Sequence, residues 1–392
     1  MEIKRTIYLD NSATTRISDV ALAKYNEVSL ENFGNPSSLH TLGFNAEKEL
    51  KAARTAIAST LGMRDADVVF TASGSEANNL AIIGRSEAKE RYKRGAKIIT
   101  TEGEHASVTE PLKKLAERGF KIAYIPTKDG ILDLDALERE MTSDVILLTF
   151  MMVNNETGAL YNIKRASEIM RAKSREALLH VDATQSYMKL PFTMKSLGAD
   201  MITVSSHKIA GPKGVGALVL DPGVKKTRGL SPIILGGGQE GGLRSGTENV
   251  PAIAAFGAAA SDGAKRLQAN NAHLEALRSK LISKLTSDEI LGEISITNPT
   301  SHAPHILNIT LPSIKSETML HFLSAEGIFV SSGSACSSNT GHKSSALIAY
   351  GRSESEADSS IRISFSPLNT VEDIDALCEA LKRGLTRLAR IR

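Results

Sequence analysis

The feature of this sequence that most constrains its fold is a repeated alternation of short apolar runs with helical patterns between residues 68 and 220. The apolar runs are rich in Val, Ile and Leu, which suits strands that are buried on both faces. Such an alternation is typical of an open, mostly parallel α/β sheet. We predict strands at residues 68–71, 97–100, 121–125, 144–153, 178–181, 200–204 and 214–220.

Helical patterns occupy much of the intervening chain, and further short apolar runs follow near the C-terminus. We predict helices at about residues 43–61, 72–83, 107–118, 133–141, 164–175 and 250–285, and additional strands at residues 7–9, 294–297, 305–310, 328–330 and 361–365. A chain of 392 residues exceeds one typical domain. We therefore expect a large α/β domain over residues 14–258 and a smaller α+β domain formed by residues 1–13 and 259–392.

Polar side chains with chemical uses follow the ends of several predicted strands. They are His105, Asn155, Asp182, Gln185 and Lys208. In open α/β sheets, ligands bind outside the carboxyl ends of the strands. The sequence therefore predicts that these side chains surround a ligand.

Lys208 is the most informative of these residues, because it lies in a Ser-His-Lys corner between two predicted strands. A partly desolvated lysine has a lowered pKa and can form a Schiff base with an aldehyde. The alternative is an ordinary exposed lysine, which is where this residue type is usually found. The other polar strand ends favour the first interpretation.

A candidate anion site lies at residues 73–75, where Ser-Gly-Ser separates a predicted strand from a helix. Backbone N–H groups and a hydroxyl at such a helix start can bind a phosphate. The alternative is simple capping of the helix by Ser73 or Ser75.

Composition excludes several classes of function. The formal net charge is +3 and there is no Trp, so neither a basic patch nor an aromatic platform for nucleic acid is indicated. Two distant cysteines, Cys336 and Cys378, indicate neither a disulfide framework nor a metal ligand set. The longest apolar run, residues 145–153, is far shorter than a membrane span, and no signal sequence is evident at the N-terminus. We expect a cytoplasmic protein that binds neither membranes nor nucleic acid directly.

Five motifs between residues 154 and 336 carry a resemblance to a known family. They are Ser206-His207-Lys208 with Gly211 to Gly214, Val-Asp-Ala-Thr-Gln at 181–185, Asn-Asn-Glu-Thr-Gly at 154–158, Arg-Ser-Gly-Thr-Glu-Asn at 244–249, and Ser-Gly-Ser-Ala-Cys at 332–336. With them, the chain resembles the cysteine desulfurases of the NifS/IscS type, which belong to the class V aminotransferase group of fold-type I pyridoxal-phosphate enzymes. The resemblance implies the aspartate aminotransferase-like fold.

The resemblance also implies pyridoxal 5'-phosphate as cofactor. Lys208 would hold it covalently, and Asp182 would pair with its pyridine nitrogen and keep that nitrogen protonated. His105 would stack on the ring and move protons near the substrate.

The implied phosphate ligands are Gly74, Ser75, Ser205 and His207, with Thr247 supplied by the neighbouring subunit of a homodimer. Ser73 and Ser75 stand where the family usually has a glycine and a threonine. Because serine keeps the hydroxyl, we expect the phosphate site to persist.

On the substrate side, the resemblance implies that Arg362 binds the carboxylate of L-cysteine through its planar fork. Asn155 and Gln185 would lie against the phenolic oxygen of the cofactor or the substrate, and Asn11 is assigned to the substrate as well.

Cys336 would be the third catalytic group, beside Lys208 and His105. Its thiolate would attack the substrate sulfur and leave L-alanine and a persulfide. The persulfide would pass to a sulfur acceptor or iron–sulfur scaffold protein, for cluster assembly or for thiolation of tRNA or cofactors. By contrast, Cys378 lies on an amphipathic helical pattern and is expected to be a buried apolar residue.

Other functions of the same fold remain open at this point. A selenocysteine lyase or an aminotransferase for a small amino acid would share the lysine and the aspartate, although transamination has no use for the Cys336 thiol. A cofactor-binding scaffold that has lost catalysis is the alternative from a different class. Residues 339–344 differ from the Leu-Glu-Pro-Ser segment that the family often has, which leaves the acceptor unidentified.

Overall fold

The computed structural model describes residues 6–64, 67–88, 95–174, 176–227, 229–332 and 344–388. Its strands are β1 Ile7–Tyr8, β2 Val68–Thr71, β3 Lys97–Thr101, β4 Lys121–Ile125, β5 Val145–Met151, β6 Leu178–Asp182, β7 Met201–Ser205, β8 Gly216–Leu220, β9 Ser295–Thr297, β10 Ile306–Thr310, β11 Ile328–Phe329, β12 Ser331–Ser332 and β13 Ser360–Ser364. Its α-helices are α1 Asp19–Glu31, α2 Thr41–Thr60, α3 Gly74–Glu87, α4 Ala106–Glu117, α5 Leu134–Glu140, α6 Ile163–Lys173, α7 Met194–Leu197, α8 Pro222–Lys226, α9 Val250–Ser287, α10 Ser316–Ala325, α11 Ser345–Tyr350, α12 Glu354–Asp358 and α13 Val371–Arg387.

The larger sheet has seven strands within the described residues, in the order β2-β8-β7-β6-β5-β3-β4. The pairs from β7 through β6, β5 and β3 to β4 are parallel. Strand β8 runs antiparallel to both β7 and β2. The predicted mostly parallel sheet is confirmed, and the strand order brings the carboxyl ends of β3, β5, β6 and β7 to one edge.

Apolar side chains cover both faces of this sheet, as a doubly covered parallel sheet requires. On one face, Leu147 belongs to a buried cluster with Leu80 of α3 and Leu112 of α4. On the other, Leu148 belongs to a cluster that includes Ile57 of α2 and Phe256 of α9. Leu147 and Leu148, which are neighbours in β5, therefore pack against helices on opposite faces of the sheet, and every residue of β5 is buried.

A second sheet, with the strand order β12-β13-β10-β9, is antiparallel. Strand β1 pairs with β11 in parallel, which attaches the N-terminal segment to this part of the molecule. A separate buried cluster joins β10 and β13 to the helices α10 and α13, and includes Cys378. Cys378 is buried as expected, and burial raises the pKa of its thiol to about 11.

The 38-residue helix α9 contributes to both buried clusters. Phe256, near its start, packs in the core of the larger sheet, whereas Leu274 to Leu285 pack in the core of the second sheet. The predicted domain boundary at residue 258 falls inside this helix, and the two-domain division remains a proposal. No helix in the described part of the chain combines the length and apolar character of a membrane span.

Helix α1 is absent from the sequence prediction. Ser18 caps it by accepting a hydrogen bond from the backbone N–H of Ala21, but only Ala21 and Val28 of its residues are buried. A helix that buries so few residues shows little apolar periodicity. Its position depends on contacts with α9 that the local sequence does not encode.

Candidate active site

Lys208 lies at the carboxyl end of β7, in a single 3₁₀ turn at Ser206–Lys208. Its Nζ donates hydrogen bonds to the backbone carbonyl oxygens of Ser12 and Ala13, at 2.8 Å for the latter. The segment after β1 therefore passes over the lysine. Lys208 also lines a cavity of about 970 Å³ between the N-terminal segment and α9, so its side chain borders open space rather than packed core.

Asp182 ends β6 and is buried, with 6% of its surface exposed. Its Oδ2 accepts a hydrogen bond from Nδ2 of Asn78 at 2.7 Å, and its Oδ1 accepts one from the backbone N–H of Thr184 at 2.9 Å. Both carboxyl oxygens of Asp182 therefore act as hydrogen-bond acceptors. Asn78 and Thr184 were not identified from the sequence. Their only signal is proximity to the motifs at residues 73–75 and 181–185.

His105 follows β3 and is the N-cap of α4. Its Nδ1 accepts a hydrogen bond from the backbone N–H of Ser107 at 3.1 Å and lies 2.8 Å from Oγ of Ser107. Burial lowers the pKa of His105 below 6.5; Asp182 opposes this shift, while the positive charges of Lys208 and Arg362 reinforce it. The imidazole is therefore neutral at pH 7, and Asp182, Lys208 and Arg362 lie near enough to His105 to influence its protonation.

The start of α3 forms a small cradle with the ends of β6 and β7. A Cβ placed on Gly74 would lie 3.3 Å from both Cβ of Ser205 and Oγ1 of Thr184. Ser205 is buried, and its Oγ has no hydrogen-bond partner among the described residues. A helix N-terminus and an unpaired hydroxyl at one point fit an anion such as a phosphate.

The two serines of the predicted phosphate motif have different environments. The Ser73 hydroxyl caps α3 by accepting from the backbone N–H of Glu76 at 3.1 Å, as in the capping alternative. Ser75 is exposed at the first turn of the helix. The backbone around Ser73 is tightly enclosed, because a Cβ on Gly216 would lie 2.6 Å from its carbonyl carbon.

His207 lies next to Lys208, and its Nδ1 is 3.1 Å from Oγ1 of Thr14. Burial, followed by the positive charge of Lys208, lowers the pKa of His207 to about 4. The ring is therefore neutral near pH 7. Thr247 is exposed in the loop before α9, and no hydrogen bond joins it to the cluster among the described residues.

Gln185 and Asn11 hold the N-terminal segment in place. Nε2 of Gln185 donates to the backbone oxygen of Ser12 at 3.0 Å, while its buried Oε1 has no partner in the described structure. Nδ2 of Asn11 donates to the backbone oxygen of Ser364 at 2.9 Å and to that of Tyr8 at 3.2 Å. Gln185 therefore keeps one acceptor for a ligand, whereas the Asn11 donor is taken by backbone groups.

Arg362 lies in β13 and is buried, with 6% of its surface exposed. Its Nη2 donates to Oδ1 of Asp10 at 2.8 Å, and its Nη1 donates to the backbone oxygen of Asn155 at 2.9 Å. Nε of the same guanidinium has no partner among the described residues. Asn155 thus meets Arg362 through its backbone, and a carboxylate already occupies one arm of the fork.

Cys336 lies outside the described residues. Of its nearest described neighbours, Ser332 ends β12, and Ser331 is the register partner of Arg362 in the second sheet. On the other side, Oγ of Ser344 donates to Oε2 of Glu156, the residue after Asn155. Ser331 thus pairs with Arg362 in the second sheet, and Ser344 contacts the residue that follows Asn155.

Comparisons with known proteins identify the family. The model of the family described as Aminotransferase class-V matches residues 7–377. The chain is 40% identical over 385 residues to "Cysteine desulfurase IscS 1" of Archaeoglobus fulgidus, covering 97% of each chain. It is 37% identical over 389 residues to "Cysteine desulfurase 2" of Trichormus variabilis, covering 98% of this chain and 94% of the relative.

Solved structures agree with these relatives. A "NIFS-like protein" superposes with a TM-score of 0.90 at 35% identity, covering 98% of this chain and all of the other. A structure described as "SspA in complex with cysteine" superposes with a TM-score of 0.78 at 30% identity, covering 93% of this chain and all of the other. The chain therefore belongs to the aminotransferase class-V family and, within it, to the cysteine desulfurases of the NifS/IscS type.

Proposed function

We propose that this protein is a pyridoxal-phosphate-dependent cysteine desulfurase that converts L-cysteine to L-alanine and a persulfide on Cys336. The observation that carries the proposal is the placement of His105, Asp182 and Lys208 at the carboxyl ends of β3, β6 and β7 of the large sheet. Arg362, from β13 of the second sheet, donates to the backbone oxygen of Asn155, which follows β5. These are the group types needed to hold the cofactor, move a proton and bind an amino-acid carboxylate. The cofactor, when bound, supplies an electron sink for bonds at the amine-bearing carbon of the substrate.

The residues around the strand ends fit this cofactor. Lys208 would hold it covalently, and the buried Asp182 carboxylate would keep a proton on its ring nitrogen. The N-terminus of α3 at Gly74 would receive its phosphate, together with Ser75, His207 and the Ser205 hydroxyl, which has no partner within the described part of the chain. Oε1 of Gln185, which has no partner among the described residues, is available to a hydrogen-bond donor on the bound cofactor or substrate.

The reaction would use Arg362 to hold the substrate carboxylate and Cys336 to take the sulfur. The Cys336 thiolate attacks the sulfur of bound L-cysteine, so that a sulfur–sulfur bond forms while the carbon–sulfur bond breaks. The carbon then takes up a proton to give L-alanine. His105, neutral at pH 7, is placed to move protons in this sequence.

We also propose that the enzyme is a homodimer in which Thr247 reaches the partner's phosphate site. Large apolar side chains are exposed on and between α1 and α2, including Leu30 at 76%, Phe33 at 64%, Leu39 at 105% and Phe44 at 53%. Such a concentration supports a protein–protein interface. The proposed acceptor of the persulfide is an iron–sulfur scaffold or another sulfur-accepting protein, and two cysteines in the whole chain support a cytoplasmic location.

The test is to incubate cofactor-loaded protein with L-cysteine and a reductant, and to measure sulfide and alanine. Equal formation of both is expected from the native protein. A Lys208→Ala variant should form neither above background, and Cys336→Ser should bind the cofactor but form no persulfide. Absence of both products from cofactor-loaded native protein would overturn the proposal.

A further inference from the structure

We propose that Asn78 and Ser107 are positioning residues, which hold His105 as the neutral tautomer with its proton on Nε2. The inference rests on a hydrogen-bond chain that runs from Asp182 through the side chains of Asn78 and Ser107 to Nδ1 of His105. It deepens the proposed function, because it identifies which ring nitrogen of His105 carries the proton and which carries the lone pair.

The direction of the chain begins at Asp182. Its Oδ2 accepts a hydrogen bond from the amide nitrogen of Asn78 at 2.7 Å. The same nitrogen lies 2.8 Å from Oγ of Ser107 and donates its second hydrogen there. Asn78 is 1% exposed, so this amide has no access to solvent through which to exchange partners.

The Ser107 hydroxyl transmits this direction to the histidine. Because Oγ accepts from Asn78, its single hydrogen is available to Nδ1 of His105 at 2.8 Å. The backbone N–H of Ser107 points to the same Nδ1 at 3.1 Å and can only donate. Two donors therefore meet Nδ1, which must present a lone pair, and the ring proton is left on Nε2.

The charges around His105 act in the same sense. Lys208 and Arg362 oppose a second proton on the ring, and burial removes the water that would solvate an imidazolium. Asp182 is the acidic group that favours protonation, and its Oδ2 is already engaged by Asn78. Protonation of Nδ1 would place a ring N–H against two hydrogen-bond donors, so the neutral ring is held with its lone pair on Nδ1 and its N–H on Nε2.

The direct test is ¹⁵N NMR of protein carrying labelled histidine, with the His105 signals assigned by their loss in His105→Gln. In cofactor-free native protein, Nδ1 should show the shift of an unprotonated ring nitrogen and Nε2 that of a protonated one. A protonated Nδ1, or a mixture of tautomers, would overturn the proposal. This readout is independent of turnover, so it is separable from failure of the desulfurase activity.

Two variants test the chain itself. In Ser107→Ala one donor to Nδ1 is lost, and in Asn78→Ala the Ser107 hydroxyl is free to turn and accept from a protonated Nδ1. Both should raise the titration midpoint of His105 by about half a unit to one unit. Because the two residues act in one chain, the double variant should shift the midpoint by less than the sum.

Ser86→Ala is the control, because Ser86 is as buried on α3 as Asn78 and its hydroxyl donates within the helix to the carbonyl oxygen of Ile82. It should leave the His105 midpoint unchanged. In the cofactor-loaded enzyme, Asn78→Ala and Ser107→Ala should shift the acid limb of the pH profile of kcat to higher pH, with little change in KM. An unchanged His105 midpoint in both folded variants, judged by the signals of the other histidines, would contradict the proposed role.

Discussion

The buried amine of Lys189 donates a hydrogen bond to the backbone carbonyl oxygen of Lys208 at a distance of 2.8 Å. Burial, with a smaller contribution from the Lys208 charge, lowers the pKa of Lys189 to about 7, compared with 10.5 for a free lysine. Asn271 donates to the backbone oxygen of Lys189 and so fixes the donor from the other side. One lysine thus supports the turn that carries the other.

The first prediction concerns the pH dependence of stability that this buried amine causes. A base whose folded pKa lies below its unfolded value loses stability as pH falls from about 10.5 toward 7. Lys189→Met removes that loss, although it also removes the hydrogen bond to Lys208, which is worth about 1 kcal/mol at every pH. When the pH falls from about 9.5 to about 7, the free energy of unfolding of the variant should therefore rise relative to that of the native protein by up to about 2–4 kcal/mol.

Urea unfolding at the two pH values measures this gain. Lys195→Met is the control, because Lys195 is exposed and its replacement should alter stability equally at both. A stability difference between Lys189→Met and the native protein that does not change with pH would contradict a neutralised, buried amine.

The second prediction concerns acid sensitivity at His180. Its ring nitrogens lie 2.8 Å from Oγ1 of Thr149 and 3.0 Å from Oγ1 of Thr203, and burial lowers its pKa to about 4. The folded protein therefore loses stability as pH falls from about 6.5 toward 4. His180→Gln should be about 1–3 kcal/mol less stable than the native protein at neutral pH, because buried hydrogen bonds are lost.

That deficit should shrink by about 2 kcal/mol or more as the pH approaches about 4.5, because glutamine takes up no proton. Denaturant unfolding from neutral to acid pH gives both slopes. His321→Gln, at an exposed position of α10, should parallel the native protein throughout. Parallel curves for His180→Gln and the native protein would show that His180 is not held neutral.

The third prediction concerns competition for the Arg362 guanidinium. Asp10 occupies Nη2 at 2.8 Å, where the substrate carboxylate is proposed to bind. Asp10→Asn keeps an acceptor but removes the competing charge, so the KM for L-cysteine should fall by about threefold to tenfold. Arg362→Lys loses the planar fork and should raise KM by about tenfold or more.

Steady-state kinetics with L-cysteine measure both effects, and Asp135→Asn on the exposed side of α5 is the matched control with unchanged KM. If Asp10→Asn instead raised KM, Asp10 would be a support for Arg362 rather than a competitor, and the proposed carboxylate site would need revision.

Local sequence was sufficient to predict the large sheet and the positions of its functional strand ends. The uniformly apolar β5 and the polar residues after β6 and β7 are short-range patterns, and a parallel sheet brings such strand ends together whatever the connections between them. This is why the sequence predicts that Asp182 and Lys208 lie at the same edge of the sheet, where the structure places them.

Long-range partners could not be predicted in this way. Arg362 and Asp10 are 352 residues apart in the chain, and no local pattern indicates that their side chains meet. In the sequence, Asn78 is one of several polar residues near a helix start, and its contact with Asp182 arises only because α3 packs beside β6. Lys189 reads as a surface lysine, because its burial depends on α9 and on the turn at Lys208.

The central claim is that sulfur leaves L-cysteine and becomes bonded to Cys336, and mass spectrometry of the Cys336 peptide tests it most directly. Cofactor-loaded protein is mixed with L-cysteine labelled in its sulfur, without reductant, and is digested after about one turnover. The account predicts one added labelled sulfur on Cys336, absent from Cys378 and from the Lys208→Ala variant, with one alanine released for each. Alanine formed without added sulfur on Cys336 would contradict it.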